Sequence, residues 1–528
     1  MKKLLALILA LFVIEAIYGQ HGIDNPFFEK VSYIGAFDET NDWTANWTTW
    51  DAENTNYPAT TVTKSGEIAA NETWTASNVY KLEGFVYVLD GVTLTIEPGT
   101  IIRGDKGSKG TLIIERGAKL IAEGTAEKPI IFTSNEAAGN REYGDWGGVI
   151  LCGKAPINVP GGEAQIEGGP RSKYGGSDVA DNSGSLKYIR IEFPGIPFVP
   201  DKEINGITFG GVGNATVVDY IQVYRSGDDA FEWFGGTVNA KHLVASFTWD
   251  DDYDTDYGYL GMVQFAVALR DSAIADPGSG SNGFESDNDG SGSGNTPITN
   301  PIFSNVSMFG PKVLPSTTIN TNYKRALHLR RNTKINIYNS IFAGFKDGLF
   351  VDGSAARQNL TNDELKIYNV ILAGNSGKYF VDDSLSVVRN YFFDSARNND
   401  TLASNTDLKI TDPFNYLNPD FRPMASSPVL NNSSFVGIED FSNQNNVSSL
   451  NIYPNPVSDF INIEFFAQNN SSVTFEIVDM SGKLVYQNIE NANLGVNIFK
   501  FDLQNLNSGI YALRMIAGKE VNVVKFIK

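Results

Sequence analysis

The chain has 528 residues, 42% hydrophobic and 12% aromatic, enough for two or three packed domains and too apolar for a disordered protein. Its 61 acidic against 41 basic residues give a net charge of −20, a field that repels nucleic acid and anionic lipid and suits divalent cations or neutral sugars. Cys152 is the only cysteine, so no disulfide can form within one chain, and His21, His242 and His328 are too scattered to predict zinc or a redox metal.

Residues 1–19 have the parts of a secretory signal: Lys2 and Lys3, the apolar run Leu4 to Ile14, then small Gly19. Later segments lack the ~20 apolar residues of a membrane helix, so no transmembrane segment is expected in the mature protein. Residues 20–75, with Trp43, Trp47, Trp50 and Trp74 among Asn and Thr, are expected to cap the first open edge of the domain after them.

Residues 76–430 carry a repeat. Leu94, Ile96, Gly99 and Ile102 recur eighteen residues later as Leu112, Ile114, Gly117 and Leu120, which predicts an eighteen-residue coil at the start. Further on, Ile337, Tyr338, Asn339, Ile341, Gly344, Phe350, Val351 and Asp352 recur thirty residues later as Ile367, Tyr368, Asn369, Ile371, Gly374, Phe380, Val381 and Asp382. Units of this size cannot bury a core alone, so the pattern predicts stacked parallel strands. The wording of Gly110 to Ser134, with Glu115-Arg116-Gly117-Ala118-Lys119-Leu120 and Gly124-Thr125-Ala126-Glu127-Lys128-Pro129-Ile130, resembles right-handed parallel β-helices of bacterial surface proteins and pectate-lyase-like folds. The fold class expected is all-β, a right-handed parallel β-helix followed by a small antiparallel β-sandwich. The stretch Phe231 to Val238 also looks like functionally uncharacterised Bacteroidetes surface proteins.

Residues 431–449 read as an Asn/Ser-rich linker, and 450–528 as a sandwich of alternating strands with turns at Ser481-Gly482 and Asn507-Ser508-Gly509. This last domain holds 6 basic and 7 acidic residues, so the negative charge belongs to the body. Its elements Tyr453-Pro454-Asn455-Pro456, Gly482, Gly509 with Tyr511, and the basic end from Lys525 resemble the type A C-terminal sorting domain of the Bacteroidetes type IX secretion system. The resemblance implies that the type IX secretion machinery is a partner and that the product is secreted or held on the outer cell surface.

Chemistry is expected between His242 and Gly310, where ten acids face one base, Arg270. Asp250, Asp252, Asp254 and Asp256, and then Glu285, Asp287 and Asp289, place carboxylates at alternate positions, a spacing from which a hard cation such as Ca2+ collects oxygens. Neither run is an EF-hand, because the twelfth positions are Val263 and Thr296. Trp233, Trp249 and Tyr257 are the expected ligand-binding aromatics, suited to a polysaccharide. Asp276 to Asn295 reads as one long Gly/Ser/Asn loop.

Gly227-Asp228-Asp229 resembles the paired aspartates of polygalacturonases, but no Gly-His-Gly follows. Aligning Asp229 with Asp347 makes it a turn residue of two coils. The competing expectation is a polysaccharide lyase or glycoside hydrolase on the same scaffold, a lyase needing a base among Arg270, Arg325, Arg330 and Arg331. Fold alone does not choose between these.

Overall fold

The computed structural model describes residues 25–528, apart from 198–203, 384–385, 431–446, 454, 468–469, 480–482, 494 and 518–519. The expected signal peptide and nearly all of the expected linker therefore lie outside the described residues, as do Pro454 and Gly482. The chain divides into a large unit, Phe27–Phe435, and a unit that holds the C-terminal sequence from Val436.

The large unit is a right-handed parallel β-helix of three faces. On the first face, strand Thr93–Ile96 pairs with Lys119–Glu123, which pairs with the front half of Gly184–Glu192. On the second, Ile101–Gly104 pairs with Ile130–Ser134, which pairs with the back half of that same long strand. From there each coil uses one long strand for both faces: Val217–Tyr224, Asn239–Ser246, Met262–Leu269, Ile302–Phe309, Asn336–Ala343 and Lys366–Ala373 stack in order. The third face runs through Thr111–Ile114, Gly148–Cys152, Ile207–Gly210, Phe231–Phe234, Tyr253–Asp256, Phe284–Ser286, Arg325–Leu329 and Asp347–Val351.

A long strand serves two faces because one residue bends it. Tyr188, Tyr220, His242, Phe265, Asn305, Asn339 and Asn369 all have φ between 49° and 61°. A side chain costs roughly 1–2 kcal/mol in this left-handed region, and the column offsets that by stacking like on like. Ring centroids are 4.3 Å apart for Tyr188 and Tyr220, 4.1 Å for Tyr220 and His242, and 5.2 Å for His242 and Phe265. Farther along, the column is asparagine, the residue that tolerates this conformation best after glycine. Asn369 Nδ2 donates to Asn339 Oδ1 at 2.7 Å, and Asn398 Nδ2 donates to Asn369 Oδ1 at 3.0 Å. The repeated Ile-Tyr-Asn is therefore the inward residue, its neighbour and the corner.

The thirty-residue repeat is one coil, with Ile337 on Ile367 and Ile341 on Ile371. In its second half the register slips by one, so Leu349 bridges to Phe380. The eighteen-residue recurrence is not a coil. Leu94 stacks on Leu120, and Leu112 on Val86 and Val149, so the similar words lie on different faces. Coils of one protein need apolar residues on every face, and that requirement produces the resemblance.

Residues 27–57, expected to cap an edge, instead run along the side. Gly35 N donates to Asn339 O at 2.7 Å, Ile34 N to Val429 O at 3.1 Å, and Thr49 exchanges two 2.8 Å hydrogen bonds with Gln222. The Trp43 ring lies 5.1 Å from His242, and Trp47 lies 5.9 Å from Tyr188 and 5.8 Å from Tyr220. The aromatic corner column leaves an apolar seam outside the coil, and the tryptophans cover it. Residues 62–74, also assigned to the cap, form the first strands of the solenoid, where Val62–Ile68 pairs with Val79–Val88.

The C-terminal unit has two antiparallel sheets around Ile461, Ile463, Phe475, Ile477, Leu513 and Phe526. Its sequence elements meet at one edge. Asn455 Oδ1 accepts from Ile527 N at 3.0 Å, and Gly509 and Lys528 exchange backbone hydrogen bonds at 3.0 and 2.9 Å. Tyr511 donates its hydroxyl to Asn507 O at 2.8 Å, and Lys525 is exposed.

The corner column predicts a sharp asymmetry. Asn339→Val should destabilise the body by about 2–3 kcal/mol, from the β-branched residue at positive φ and the lost side-chain hydrogen bond, whereas Asn339→Gly should cost about 1 kcal/mol or less. Urea denaturation of the two variants checks the order.

Candidate carboxylate ladder on the third face

Along each third-face strand, side chains alternate in and out, and parallel register then stacks the outward ones in a row. Thr208, Glu232, Asp254, Glu285, His328 and Phe350 are successive partners in this row. Acids on adjacent parallel strands are held at the interstrand spacing of roughly 4.8 Å, close enough to repel strongly.

The turns before Phe231–Phe234 and Tyr253–Asp256 add more acid. Asp229, Glu232 and Asp254 each place an oxygen within 4.8 Å of the others, and so do Asp228, Asp229 and Asp250. Asp229 and Glu232 are buried. Asp251 N donates to Asp229 Oδ1 at 2.7 Å, and Asn205 Nδ2 donates to Glu232 and, at 3.2 Å, to Glu167. Asp250 Oδ1 and Asp254 Oδ1 are buried without a hydrogen-bond partner.

Burial and then mutual repulsion push Asp229, Glu232, Asp250 and Asp254 well above the usual carboxylate range. Burial with the neighbouring Glu285 raises Asp251 to about 7, and burial with Asp287 raises Asp256 to about 8.

The expected cation ligands separate by direction. Asp254 stands in the ladder next to Glu285, and Asp250 stands in the turn cluster. Asp252 points into the coil, where its Oδ2 accepts from Arg270 Nε at 2.8 Å with both side chains fully buried. Arg270 also donates to Asp250 O at 2.5 Å and to Asn282 O, so the pair ties two turns together and Asp252 is not available to a surface ion.

Glu285 and Asp287 are paired within the protein: Arg330 contacts both acids, Arg331 lies 2.8 Å from Asp287, and His328 Nδ1 lies 3.2 Å from Glu285. Burial raises Glu285, but the His328 hydrogen bond and the Arg330 charge outweigh it and hold the carboxyl below its usual range. Asp289 accepts from Ser291 and Ser293, which keep it down at about 2 despite some burial. It closes its own turn.

Of the expected aromatics, Trp233 is a core residue. It is fully buried and stacks with Tyr259 at 5.3 Å and Phe209 at 5.7 Å, so it cannot meet a ligand. Its neighbours in sequence alternate with it, and the outward one is Glu232. Trp249 and Tyr257 are half-buried. Tyr257 packs 5.7 Å from Phe234 beside Asp256, whose Oδ1 accepts its backbone N–H at 2.6 Å.

The sequence analysis set Asp228 and Asp229 aside, the latter as a turn residue, and did not single out Glu232, although the structure brings all three into the acidic clusters. Asp229 does occupy a turn, as expected, yet its carboxylate is the member shared by both triplets. The available signal was the match of Phe231-Glu232-Trp233 to Tyr253-Asp254-Thr255, an aromatic and then an acid on two stacked strands. The supposed loop from Asp276 to Asn295 also contains the strand Phe284–Ser286, which delivers Glu285 to the row.

A parallel β-helix with an acidic outer row, followed by a small antiparallel sandwich, defines a solenoid protein with a separate C-terminal module. Residues 66–412 match the family described as a pectate-lyase like beta helix domain, and the chain belongs to that family. Residues 451–528 match the secretion system C-terminal sorting domain, which makes the protein a secreted or outer-surface one handled by the type IX machinery. No curated protein matches. Among solved structures, the enzymatically active domain of bacteriophage CBA120 tailspike protein 2 is similar over 85% of this chain and 72% of that one, at 9% identity and a TM-score of 0.18. No helix among the described residues is long and apolar enough to cross a membrane.

The Arg270–Asp252 pair gives a direct test of the inward assignment. Arg270→Met should cost about 3–5 kcal/mol by stranding a buried carboxylate, and adding Asp252→Asn should recover most of that loss. Chemical denaturation of the single and double variants measures both.

Proposed function

We propose that the exported body is a surface binding protein that holds a divalent cation, calcium by its oxygen-only ligand set, at Asp229, Glu232 and Asp254, and that it engages extracellular polysaccharide along the same face. The observation that carries the reading is the mutual approach within 4.8 Å of three carboxylates, two of them buried, while Arg330 is already taken by Glu285 and Asp287. Hard cations collect several carboxylate oxygens in this way. The unpartnered Oδ1 of Asp254 supplies a ready ligand atom.

The sign of the pH effect comes from the raised carboxyls. A folded-state pKa above the unfolded value of about 4 means that the folded protein keeps protons which the unfolded chain releases. Without cation, the contribution of these raised carboxyls is therefore full at low pH and is lost as pH rises through the folded values, about 7 for Asp251 and about 8 for Asp256. A cation bound at Asp229, Glu232 and Asp254 replaces the protons that those raised carboxyls otherwise keep. Calcium at about 100 times its Kd should contribute roughly 2.7 kcal/mol at pH 8 and little at pH 5. Thermal melting with calcium or chelator at the two pH values checks this. Glu232→Gln with Asp254→Asn should abolish the calcium shift and raise the melting temperature of the calcium-free protein at pH 8. Absence of any calcium shift in the unmodified protein at pH 8 defeats the cation reading.

The hydrolase alternative draws on one observation: Asp254, held toward its neutral form, is the strand partner of Glu285, held toward its ionised form. Carboxyls pushed apart in this way suit an acid and a nucleophile or base. A lyase is less well supplied. Arg270 is buried on Asp252, Arg330 and Arg331 are ion-paired, and the Arg325 guanidinium lies 4.7 Å over the Phe350 ring. Release of new reducing ends from a polysaccharide panel, lost in Glu285→Gln, would establish hydrolysis; unsaturated ends would establish elimination.

A further inference from the structure

Beside the ladder, at the turns that precede the third face, lies a cavity of about 510 Å³ lined by Tyr143, Asp228, Trp249, Asp250, Asp276 and Ser279 among several glycines. That volume is within the range of small-ligand sites. Tyr143 and Trp249 meet edge to face at 5.6 Å. Arg225 fixes the phenol from behind: its guanidinium lies 5.1 Å from the ring, its Nη1 is 3.1 Å from the hydroxyl, and it is ion-paired with Glu53. The Trp249 backbone is tied down as Asp276 N and the Ser281 hydroxyl both donate to its carbonyl, at 3.1 and 2.7 Å, and hydrogen bonds from Ser279 and Gly280 hold the Asp276 carboxylate below its usual range against partial burial. The aromatic walls are thus placed before any ligand arrives.

The carboxylates are arranged around those walls. The Ser279 hydroxyl lies 2.6 Å from Asp250 Oδ2 and 2.9 Å from Asp276 Oδ2, bridging the two acids with a single proton. The other oxygen of Asp250, Oδ1, is buried with no hydrogen-bond partner. The nearby guanidiniums, Arg225 and Arg270, are committed to Glu53 and Asp252. Three carboxylates, a fixed indole and an unpaired acceptor make a site for a cation that also has an apolar side and further donors.

We propose that this cavity binds the protonated amine of an amino-sugar residue, with the sugar ring against Trp249 and Tyr143 and the ammonium directed to Asp250 and Asp228. A uronate would add a further carboxyl to the crowded Asp228, Asp250 and Asp276. A neutral sugar offers the buried oxygen only a hydroxyl. A bare metal ion would leave the aromatic walls unused. The assignment goes beyond the calcium reading and stands without it, because the ladder ion is placed at Asp229, Glu232 and Asp254 and the amine at Asp228 and Asp250. Calcium held instead by Asp228, Asp229 and Asp250 would compete with the amine.

The test uses the full purified chain and a glucosamine tetramer, titrated calorimetrically in chelator and again with calcium. Binding is expected in chelator, weakened by added salt, and about tenfold weaker for Trp249→Ala and for Asp250→Asn, whereas Trp249→Phe retains it. The fully N-acetylated tetramer and a neutral glucan tetramer should bind at least about tenfold more weakly than the glucosamine tetramer. Equal binding of the N-acetylated oligomer, or unchanged affinity in Asp250→Asn, would overturn the assignment of the amine. Equal binding of a lysine tetrapeptide would overturn the assignment of the sugar. These outcomes are separate from the calcium melting shift, so either reading can fail without the other.

Discussion

The whole body depends on the parallel register of one coil on the next at its corner. Each long strand is turned from the first face to the second by a side chain in a conformation that is unfavourable in isolation. The cost is met only because the same kind of group sits above and below: ring on ring from Tyr188 to Phe265, amide to amide from Asn339 to Asn398. This is a constraint between coils, not within one. It explains why the column changes from aromatic to asparagine in blocks and not residue by residue.

The same register that makes the corner cohesive makes the third face acidic. Placing Glu232 on Asp254 and Asp254 on Glu285 multiplies repulsion just as placing Tyr220 on His242 multiplies attraction. At one end of the row, the protein supplies Arg330 and Arg331 as counter-charges and the His328 ring as a hydrogen-bond partner. At the other, around Asp229, the carboxyls are driven toward their neutral forms. A row that is balanced at one end and strained at the other is the contrast on which the proposed cation site rests, and the family's fold alone does not supply it.

Much of the architecture was legible in the chain. The thirty-residue repeat names its own coil, since stacked residues must be alike in size and inward direction, and the alternating C-terminal strands describe an antiparallel sandwich. The illegible parts arose from geometry that sequence spacing does not encode. The eighteen-residue likeness between Leu94 and Leu112 is real, but three faces with similar inward residues make two faces look like two coils. The tryptophans of residues 43–50 looked like an end cap because nothing in their spacing reveals the seam they cover. In the acidic region, alternation correctly pointed to Asp254 and Glu285. It could not separate Asp252, which turns inward to Arg270, from its neighbours, because the parity of the strand changes at the turn. Trp233 and Glu232 differ by one position and by the entire thickness of the wall.

The segment around Ile34 and Gly35 touches Val429 and Asn339, groups made hundreds of positions later in synthesis. The part of the body that emerges first is thus among the last to find its seat. Until the coils that carry Tyr188, Tyr220 and His242 have formed, Trp43 and Trp47 have no surface to lie on. The start of the segment needs more of the chain, because a body cut short before residue 429 would lack the carbonyl to which Ile34 donates.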